Sequence, residues 1–444
     1  MATDPIRRIR RRHLGHAFDL ALDGVIAEIA ALAPNTETPY VTVTADWSPA
    51  GGDPARIAGE PLKASQRGRV DAAAETTPHR PARTELRSLG EAALAGFEPR
   101  TAARLSVADD LERIAQVLET DLPDSASGAV IVANHGAGVF IFRPLGLPVK
   151  TALTVGTVPA IRALVRVAED NEPYGVLVAD QVQSVLTFFV QHYPLDEVAV
   201  TADGWPRKQA AGGLNQQRYQ ARADERIDAN AKVVAEQVQD ALAKTGVEKL
   251  VIGGSDVMLA ALGNAWHDDV RRAILDEIRV APDATSFDLA EQVYPIVTGA
   301  ERDDEFAAVV EVEDAIGQQT LGRAGAESVG TALARGQVEL LVMNDDFAAK
   351  GWVDPAYALA GVGDVPAEHP AGGDAAGMFA VELGDEFVRM ALGQKARVEI
   401  VHTMPPGEPV LGNGGSPARA EAATKLDELG GVAVVLRYTD LPTG

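Results

Sequence analysis

The chain has 444 residues, enough for two to four domains, and its 46% hydrophobic and 23% charged residues describe an ordinary soluble protein and not a disordered one. It contains no cysteine, which excludes disulfides, thiolate metal sites and a cysteine nucleophile. Its net charge of −24 is opposite in sign to that of most nucleic-acid binders, so any nucleic-acid-binding surface must be local.

Neither a secretory signal peptide nor a membrane-spanning segment is predicted from the sequence. The basic N-terminal stretch, which includes Arg7–Arg12, is not followed by an uninterrupted apolar region or a clear cleavage site. No apolar run is long enough to span a bilayer. The sequence therefore predicts a cytoplasmic protein.

Residues 1–150 are predicted to form a first α/β domain. Helices are predicted over Ile6–Leu32 and Leu105–Leu118, and a strand over Tyr40–Thr44. Residues from Glu60 to Arg100 are polar and alanine-rich. Gly128–Ala133 and Gly138–Phe142 are short apolar runs joined by Asn134-His135-Gly136-Ala137, which predicts a hairpin. His135 has no partner nearby in the sequence and is interpreted as a turn residue.

Residues 151–284 are predicted to form a second domain with a mixed sheet. The predicted elements, in order, are helix 158–168, strands 174–179, 185–190 and 196–201, a long helix to about Lys244, strand 249–252, a helix to about Ala265, and a helical stretch at 271–278. Gly253-Gly254-Ser255-Asp256 is interpreted as a strand-to-helix turn, because the lysine and spacing of a phosphate-binding loop are missing.

Residues 285–444 are predicted to form a third domain, an α/β sandwich. Helices are predicted over 286–294, 306–317, 325–333, 387–392 and 418–429, with a charged segment at 301–305, and strands over 338–343, 396–401 and 432–437. The stretches 361–377 and 404–416 are predicted as loops, the second of them mobile.

The most informative stretch is Arg207–Lys232. Gly212 and Gly213 permit backbone torsions that other residues avoid and allow close approach of the main chain to a partner. Asn215 is a suitable helix N-cap. The residues that follow place an apolar stripe on one helix face, formed by Tyr219, Ala223, Ile227, Ala231, Val234, Val238 and Leu242.

A second stripe on the same helix is basic, because Arg218, Arg222 and Arg226 recur at steps of four. A glycine tip, neutral amides and a basic stem suit a polyanion that carries a reactive end. The alternative is a surface helix whose arginines pair with Asp224, Glu225 and Asp228, and spacing does not separate the two interpretations.

No metal or cofactor site is predicted. The eight histidines lack ligand spacing, and the densest carboxylate clusters, His267-Asp268-Asp269 and Asn344-Asp345-Asp346, each follow an apolar segment where acidic residues commonly cap or solubilise. No GxSxG elbow is present.

The segment Gly212–Glu236, GGLNQQRYQARADERIDANAKVVAE, is similar to the Gly-Gly-Gln loop and following helix of the archaeo-eukaryotic class-one release factors and Pelota. Ala332–Leu341 resembles the helix–strand opening of their third domain, and Gly430–Tyr438 its closing strand. The resemblance is strongest to a divergent bacterial and archaeal branch that is similar to the release-factor-like ribosome quality-control hydrolases. It covers residues 150–444, and the first domain in general layout only.

The resemblance implies a three-domain architecture: an N-terminal α/β domain (1–150), an RNase H-like middle domain carrying the Gly-Gly loop (151–284) and a ribosomal-protein-like α/β sandwich (285–444). It implies that Gln216 is the functional glutamine, acting with Gly212 and Gly213, and that Gln217 is a spare. Leu214 departs from the family pattern, because standard release factors have their glutamine directly after the glycine pair.

The implied activity is hydrolysis of peptidyl-tRNA on stalled ribosomes or large subunits, as part of translation quality control. A glutamine amide and nearby backbone N–H groups can position water and stabilise an oxyanion without a strong base. RNA contacts are expected from Arg207, Lys208, Gln217, Arg218, Arg222 and Arg226.

Two alternatives remain open: a non-catalytic ribosome hibernation or rescue factor that occupies the A site, and an α/β protein that keeps the fold but binds something else. The expected partners are the large subunit at its peptidyl-transferase centre and peptidyl-tRNA, with no membrane. A translational GTPase is a further partner on which the sequence is silent.

Overall fold

The computed structural model describes residues 23–47, 80–123, 126, 128–145, 149–170, 172–181, 183–190, 193–199, 216–281, 284–319, 321–403 and 417–439. Within these residues the chain forms two compact units. Residues 172–300 form one, called the 172–300 unit below. Residues 23–170 and 301–439 together form the other, called the paired unit. The division into three domains at 150 and 284 stays a prediction.

The amino-terminal half of the paired unit is a sheet covered by helices on both faces. Its elements are α1 (Asp23–Ala30), β1 (Tyr40–Asp46), α2 (Pro81–Ala95), α3 (Ala102–Thr120), β2 (Gly128–Asn134), β3 (Val139–Leu145), β4 (Ala152–Gly156) and α4 (Arg162–Asp170). The strands pair antiparallel in the order β3-β2-β1-β4. Alternate side chains of β2 enter two cores, Ile131 beside α2 and α3, and Val132 beside α1 and α4. The predicted β2–β3 hairpin is confirmed.

Helix α2 corrects the sequence interpretation, because residues 81–95 lie in the stretch predicted only as polar and alanine-rich. Pro81 occupies its first turn, where the missing N–H costs nothing, and alanine and leucine continue the helix. The next helix, α3, is capped by Thr101, whose hydroxyl accepts a hydrogen bond from the backbone N–H of Arg104 at 3.3 Å.

The 172–300 unit contains a five-stranded mixed sheet. Its elements are β5 (Tyr174–Ala179), β6 (Ser184–Val190), β7 (Tyr193–Ala199), α5 (Gln216–Thr245), β8 (Lys249–Gly254), α6 (Asp256–Ala265), α7 (Asp268–Ala273), β9 (Ile274–Ile278) and the first half of α8 (Ser286–Gly317). The strand order is β7-β6-β5-β8-β9. Strands β5, β6 and β7 are antiparallel, whereas β8 and β9 run parallel to β5. The predicted mixed sheet is confirmed.

Residues 274–278 contradict the helical prediction for Arg271–Ile278. Helix α7 ends at Ala273, and Ile274–Ile278 pairs with β8 as the edge strand β9. The ladder satisfies the backbone groups of β9 and buries Ile278 in the unit's core, so tertiary pairing overrides the local preference.

Helix α8 is also longer than predicted, since one helix of 32 residues replaces two helices separated by a charged segment. Pro295 lies inside it and removes one backbone hydrogen bond. The flanking Val293 and Val297 are fully buried in the 172–300 unit, and Val309 and Val312 are buried in the paired unit. This packing on both sides offsets the local cost of the proline.

The carboxyl-terminal half of the paired unit adds two sheets. Its further elements are β10 (Gly322–Ala324), α9 (Ala326–Ala334), β11 (Val338–Asn344), β12 (Lys350–Asp354), β13 (Leu359–Val362), a 3₁₀ turn (Ala375–Gly377), β14 (Phe379–Glu382), α10 (Leu383–Gly393), β15 (Arg397–Val401), α11 (Pro417–Glu428) and β16 (Val432–Leu436). The main sheet has the order β10-β16-β11-β15, with β11 and β15 parallel. This agrees with the predicted α/β class.

The small antiparallel sheet β13-β12-β14 was not predicted. Its strand β13 begins before the predicted loop 361–377 and extends to Val362. Trp352 of β12 faces Gly361 of β13, and a Cβ at Gly361 would lie 2.6 Å from the indole, so this pairing requires glycine. The predicted loop 404–416 lies outside the described residues.

Buried polar groups join the two halves of the paired unit at α4. The backbone N–H of Arg162 donates to Asp385 Oδ1 at 3.0 Å, and the Arg162 guanidinium donates to the carbonyl of Phe347. Arg166 pairs with Asp345. Burial raises the pKa of Asp385 to about 6, an effect that the hydrogen bond from Arg162 reduces. At Asp345 burial acts upward, but hydrogen bonds from Thr403 and Arg166 outweigh it and lower the pKa.

Helix α10 also carries a buried ion pair within itself, beside this joint. Arg389 Nε and Nη2 each donate to the Glu386 carboxylate at 2.7 Å, and the Glu386 side chain is only 1% exposed. Burial acts to lower the pKa of Arg389, but the bond to Glu386 outweighs it and raises the pKa. Tyr40 of β1 lies close enough for the guanidinium to influence it. The polar contacts that cross the joint at α4 therefore include the two hydrogen bonds made by Arg162 and the ion pair between Arg166 and Asp345.

Candidate functional site

Helix α5 carries the part of the predicted site that the structure describes. Gln216 is its first residue, and Gln217, Arg218 and Arg222 follow within its first two turns. Arg226 is exposed. Arg207, Lys208, Gly212 and Gly213 lie outside the described residues, as does the predicted N-cap Asn215.

The apolar stripe of α5 is confirmed from Ile227 to Leu242. Ile227, Ala231, Val234, Val238 and Leu242 are all at most 8% exposed. Helix α5 packs against α6, so the stripe seats a helix of 30 residues, about 45 Å long, on the body of the unit. Gln216 therefore stands at the end of a long helix whose other end is anchored by burial.

The outer face of α5 carries both signs of charge. Glu225 and Asp228 are exposed beside Arg226, and Lys244 pairs with Asp240 at 2.9 Å. The helix from Glu225 onward therefore carries both signs of charge, and a basic surface on α5 would depend on its first turns.

The strand-to-helix turn at Gly253–Asp256 is confirmed. Gly254 has φ of +138°, and a Cβ there would lie 1.9 Å from the carbonyl oxygen of Ala179, so only glycine fits. The N–H of Ser255 donates to the same carbonyl at 3.0 Å. Asp256 is exposed in the first turn of α6. Its negative charge interacts favourably with the positive end of the helix dipole and would repel an anion at this helix N-terminus.

The two carboxylate clusters considered as metal ligands are engaged in other contacts. The Asp269 carboxylate accepts a hydrogen bond from Gln239 Nε2 at 3.0 Å, which lowers the pKa of Asp269. Asn344 donates to Asp427 at 2.7 Å, and Asp345 holds Arg166 and Thr403. Within the described residues, no group of three or more His, Asp or Glu side chains is arranged to hold a metal ion.

The structure gives His135 two partners, although the sequence analysis expected none. Its Nε2 lies 3.6 Å from Asp109 Oδ2, and its backbone N–H donates to Asp110 Oδ2 at 3.0 Å. Asp110 is 2% exposed, and burial raises its pKa, although the bond from His135 opposes the shift. Because Ser106 also accepts from Gly136, buried side chains of α3 hold this hairpin turn in place. The signal in the sequence for this contact was the spacing of Ser106 and Asp110, which lie four residues apart on one face of α3.

The family comparison matches the segment that contains the site. Residues 159–296 match the model of bacterial archaeo-eukaryotic release factor family 10. This segment of the chain is therefore similar to that family. All the candidate residues, from Arg207 to Arg226, lie inside the matched range.

Several solved structures of low sequence identity are also similar to this chain. An archaeal translation termination factor, aRF1, is 15% identical, with 94% of this chain and 97% of that chain covered and a TM-score of 0.24. Dom34 of S. cerevisiae, a translation termination-like factor that interacts with Hbs1, is 10% identical over 71% and 81%, with a TM-score of 0.36. A model of ribosome-bound archaeal Pelota and ABCE1 gives 11% identity over 95% of each chain and a TM-score of 0.37.

A comparison with curated proteins found no match. Within the described residues, no helix has the length and apolar character needed to cross a bilayer.

Proposed function

We propose that this chain is a ribosome-associated, release-factor-like protein that hydrolyses peptidyl-tRNA on stalled ribosomes or large subunits. The observation that carries the proposal is the family match over residues 159–296, which contain Gly212, Gly213 and Gln216. The strand order β7-β6-β5-β8-β9, with three antiparallel strands and two parallel additions, supports an RNase H-like middle domain. The named relatives include a translation termination factor and a ribosome-bound Pelota.

The chemistry requires little from the protein itself. The ester of peptidyl-tRNA is already activated by its ribosomal environment, and hydrolysis needs a water molecule held against the carbonyl carbon. A glutamine amide at Gln216 can accept from and donate to that water, while backbone N–H groups near Gly212 and Gly213 stabilise the oxyanion. Arg218, Arg222 and Arg226 contact RNA phosphates and position the loop without reading sequence.

A second candidate function is occupancy of the ribosomal A site without hydrolysis, as in hibernation or rescue. Leu214 favours it, because the residue directly after the glycine pair is apolar where the standard motif has glutamine. In this alternative the arginine stripe carries the function and Gln216 does not. A translational GTPase is included as a proposed partner of either function, by analogy with Dom34 and its interaction with Hbs1.

Single-turnover release of labelled peptide from stalled-ribosome and large-subunit peptidyl-tRNA complexes tests the proposal. Gln216→Ala is expected to reduce release by about 100-fold or more, as the loss of an oxyanion or water-positioning group does. Gln220→Ala, one turn further along α5, is the matched control and is expected to release like wild type. Pelleting of the same mixtures measures binding, which Gln216→Ala should retain.

The outcomes separate the two functions. Release by Gln216→Ala at the wild-type rate would remove Gln216 from the mechanism. Binding by wild type with no release from either complex would favour the A-site occupant, and charge reversal at Arg218 and Arg222 should then abolish pelleting in a salt-dependent way. Failure of wild type to pellet with ribosomes at low salt would contradict both functions.

A further inference from the structure

The hairpin between β12 and β13 presents an exposed aromatic side chain on a buried support. Tyr357 lies in the connection Pro355–Ala358 and is 49% exposed. Its ring centroid is 4.4 Å from that of His369, which reaches it from the long loop between β13 and β14. The side chains of His369 and Asp354 are each only 1% exposed. An exposed ring thus rests on two buried polar groups.

The support is fixed by a closed set of hydrogen bonds. His369 Nδ1 accepts from the N–H groups of Ala371 and Gly373 at 3.1 and 2.9 Å, which leaves Nε2 to carry the proton. His369 Nε2 then donates to Asp354 Oδ2 at 3.0 Å. The other Asp354 oxygen accepts from the N–H groups of Ala356 and Tyr357 at 2.9 and 3.3 Å. The hairpin turn and the long loop are therefore locked to one another.

Two backbone features show that the surrounding chain fixes the position of the Tyr357 ring. A Cβ at Gly373 would lie 2.5 Å from Tyr357 Cζ, so the loop backbone is in direct contact with the ring. Ala358, directly after Tyr357, has φ of +50°, a left-handed conformation that is unfavourable for alanine. Local strain of this kind persists where the surroundings determine the geometry, and it concentrates at binding surfaces.

The surroundings of the ring are acidic. No lysine or arginine occurs between Lys350, the first residue of β12, and Arg389, a stretch that includes the rest of the small sheet. Asp364, Glu368 and Asp374 are exposed in the loop that carries His369. Glu368 and Asp374 directly adjoin in sequence His369 and Gly373, the two loop residues that contact the ring. Carboxylates in the same loop as an aromatic face attract cations and repel phosphates, and the guanidinium group of arginine both stacks on rings and pairs with carboxylates.

We propose that Tyr357 and the loop 363–374 form a docking surface for an arginine-bearing basic peptide segment of a partner protein. The fixed ring provides a stacking platform for a guanidinium, and the three loop carboxylates select a basic partner over nucleic acid. The proposal goes beyond the proposed function and does not depend on Gln216, because it concerns a different unit and needs no hydrolysis.

Fluorescence anisotropy of the full chain with three labelled probes tests the surface. The probes are a peptide of six Arg-Gly repeats, the same peptide with glutamate in place of arginine, and a twelve-nucleotide oligouridine. Wild type is expected to bind the arginine peptide and neither of the other two. Tyr357→Ala should weaken that binding about fivefold to tenfold, and Tyr357→Phe should retain it, because the ring carries the contact.

The net charge of −24 attracts basic peptides without specificity, so a matched control is needed. Tyr438 is 52% exposed and lies outside the small sheet, and Tyr438→Ala should bind like wild type. The triple change Asp364→Asn, Glu368→Gln and Asp374→Asn should weaken binding and reduce its salt dependence. Equal affinities for wild type, Tyr357→Ala and Tyr438→Ala would overturn the proposal. So would Tyr357-dependent binding of oligouridine, which would make the surface an RNA site, or no binding of the arginine peptide.

Discussion

The two compact units differ in what their interiors are made of. In the described residues, every buried Asp, Glu and His belongs to the paired unit: Asp110, Glu305, Asp354, His369, Asp385 and Glu386. The described interior of the 172–300 unit is apolar apart from Ser184, Thr187 and Asn230. The unit that carries the candidate glutamine is thus held by apolar packing, whereas the paired unit adds directional contacts of buried charged groups to its own apolar cores.

The difference has a physical meaning. Apolar packing stabilises in proportion to buried area and tolerates repacking, whereas a buried charge is tolerated only with its partner in place. Charged contacts therefore define positions more strictly than they add stability. In the paired unit they occur where separate segments must meet, at α4 with α10, at α8 with the end of β15, and at the β12–β13 hairpin with its neighbouring loop.

Breaking one buried ion pair is expected to give the largest change in stability among the tests of this comparison. Glu386→Ala leaves the Arg389 guanidinium largely buried without its partner, and we expect a loss of about 3–5 kcal/mol in the free energy of unfolding. Replacing both residues, Glu386→Leu with Arg389→Met, should restore most of it. Urea unfolding followed by hydrogen exchange measures the loss and assigns it to the paired unit.

The matched change in the other unit is Leu177→Ala, since Leu177 is fully buried in β5. A cavity there is expected to cost about 2–5 kcal/mol and to raise exchange in residues 172–300. Leu177 is apolar and has no charged partner, so no second substitution of the Arg389→Met kind is expected to restore the lost stability. If Glu386→Ala and the double variant were equally unstable, the loss of stability would not come from an unpaired buried charge. The proposed difference between the two units would then be contradicted.

Sequence reasoning succeeded where structure depends on local periodicity. The stripe from Ile227 to Leu242 is buried as predicted, because the 3.6-residue period of a helix face is readable in one segment. It failed at Ile274–Ile278, where the strand exists only because β8 lies alongside it. It also failed at Asp385 and Arg162, whose contact joins residues 223 positions apart. The candidate glycine loop rests on motif similarity alone and stays a prediction.

The pH dependence of stability sharpens the contrast further. The pKa of Asp385 is raised to about 6 in the folded protein from an ordinary value of 3.8. The folded state therefore binds a proton more tightly than the unfolded state between these values. The contribution of this group is fully present below pH 3.8 and is lost as pH rises through 6, a difference of about 3 kcal/mol.

Asp385→Asn removes this titration and keeps an oxygen that accepts from the Arg162 N–H. The stability of Asp385→Asn relative to wild type should increase by up to about 3 kcal/mol between pH 4 and pH 7. The charged groups that act on Asp385, which are Arg162, Glu382 and Glu386, are present in both proteins. Urea unfolding at pH 4, 5, 6 and 7 measures it, and a difference that does not change with pH would contradict the assignment.

The smallest effect concerns backbone strain beside Tyr357. Ala358 adopts φ of +50°, where glycine has no steric penalty, so Ala358→Gly should stabilise the paired unit by about 0.5–1 kcal/mol after the greater chain entropy of glycine is included. Ala356→Gly in the same turn is the control, since Ala356 does not share the left-handed conformation, and it should be neutral or destabilising. Equal effects of the two glycines on urea unfolding would mean that the strain at Ala358 is absent in solution. Stabilisation by Ala358→Gly alone would instead show that the paired unit holds its aromatic side chain in place against a local backbone preference.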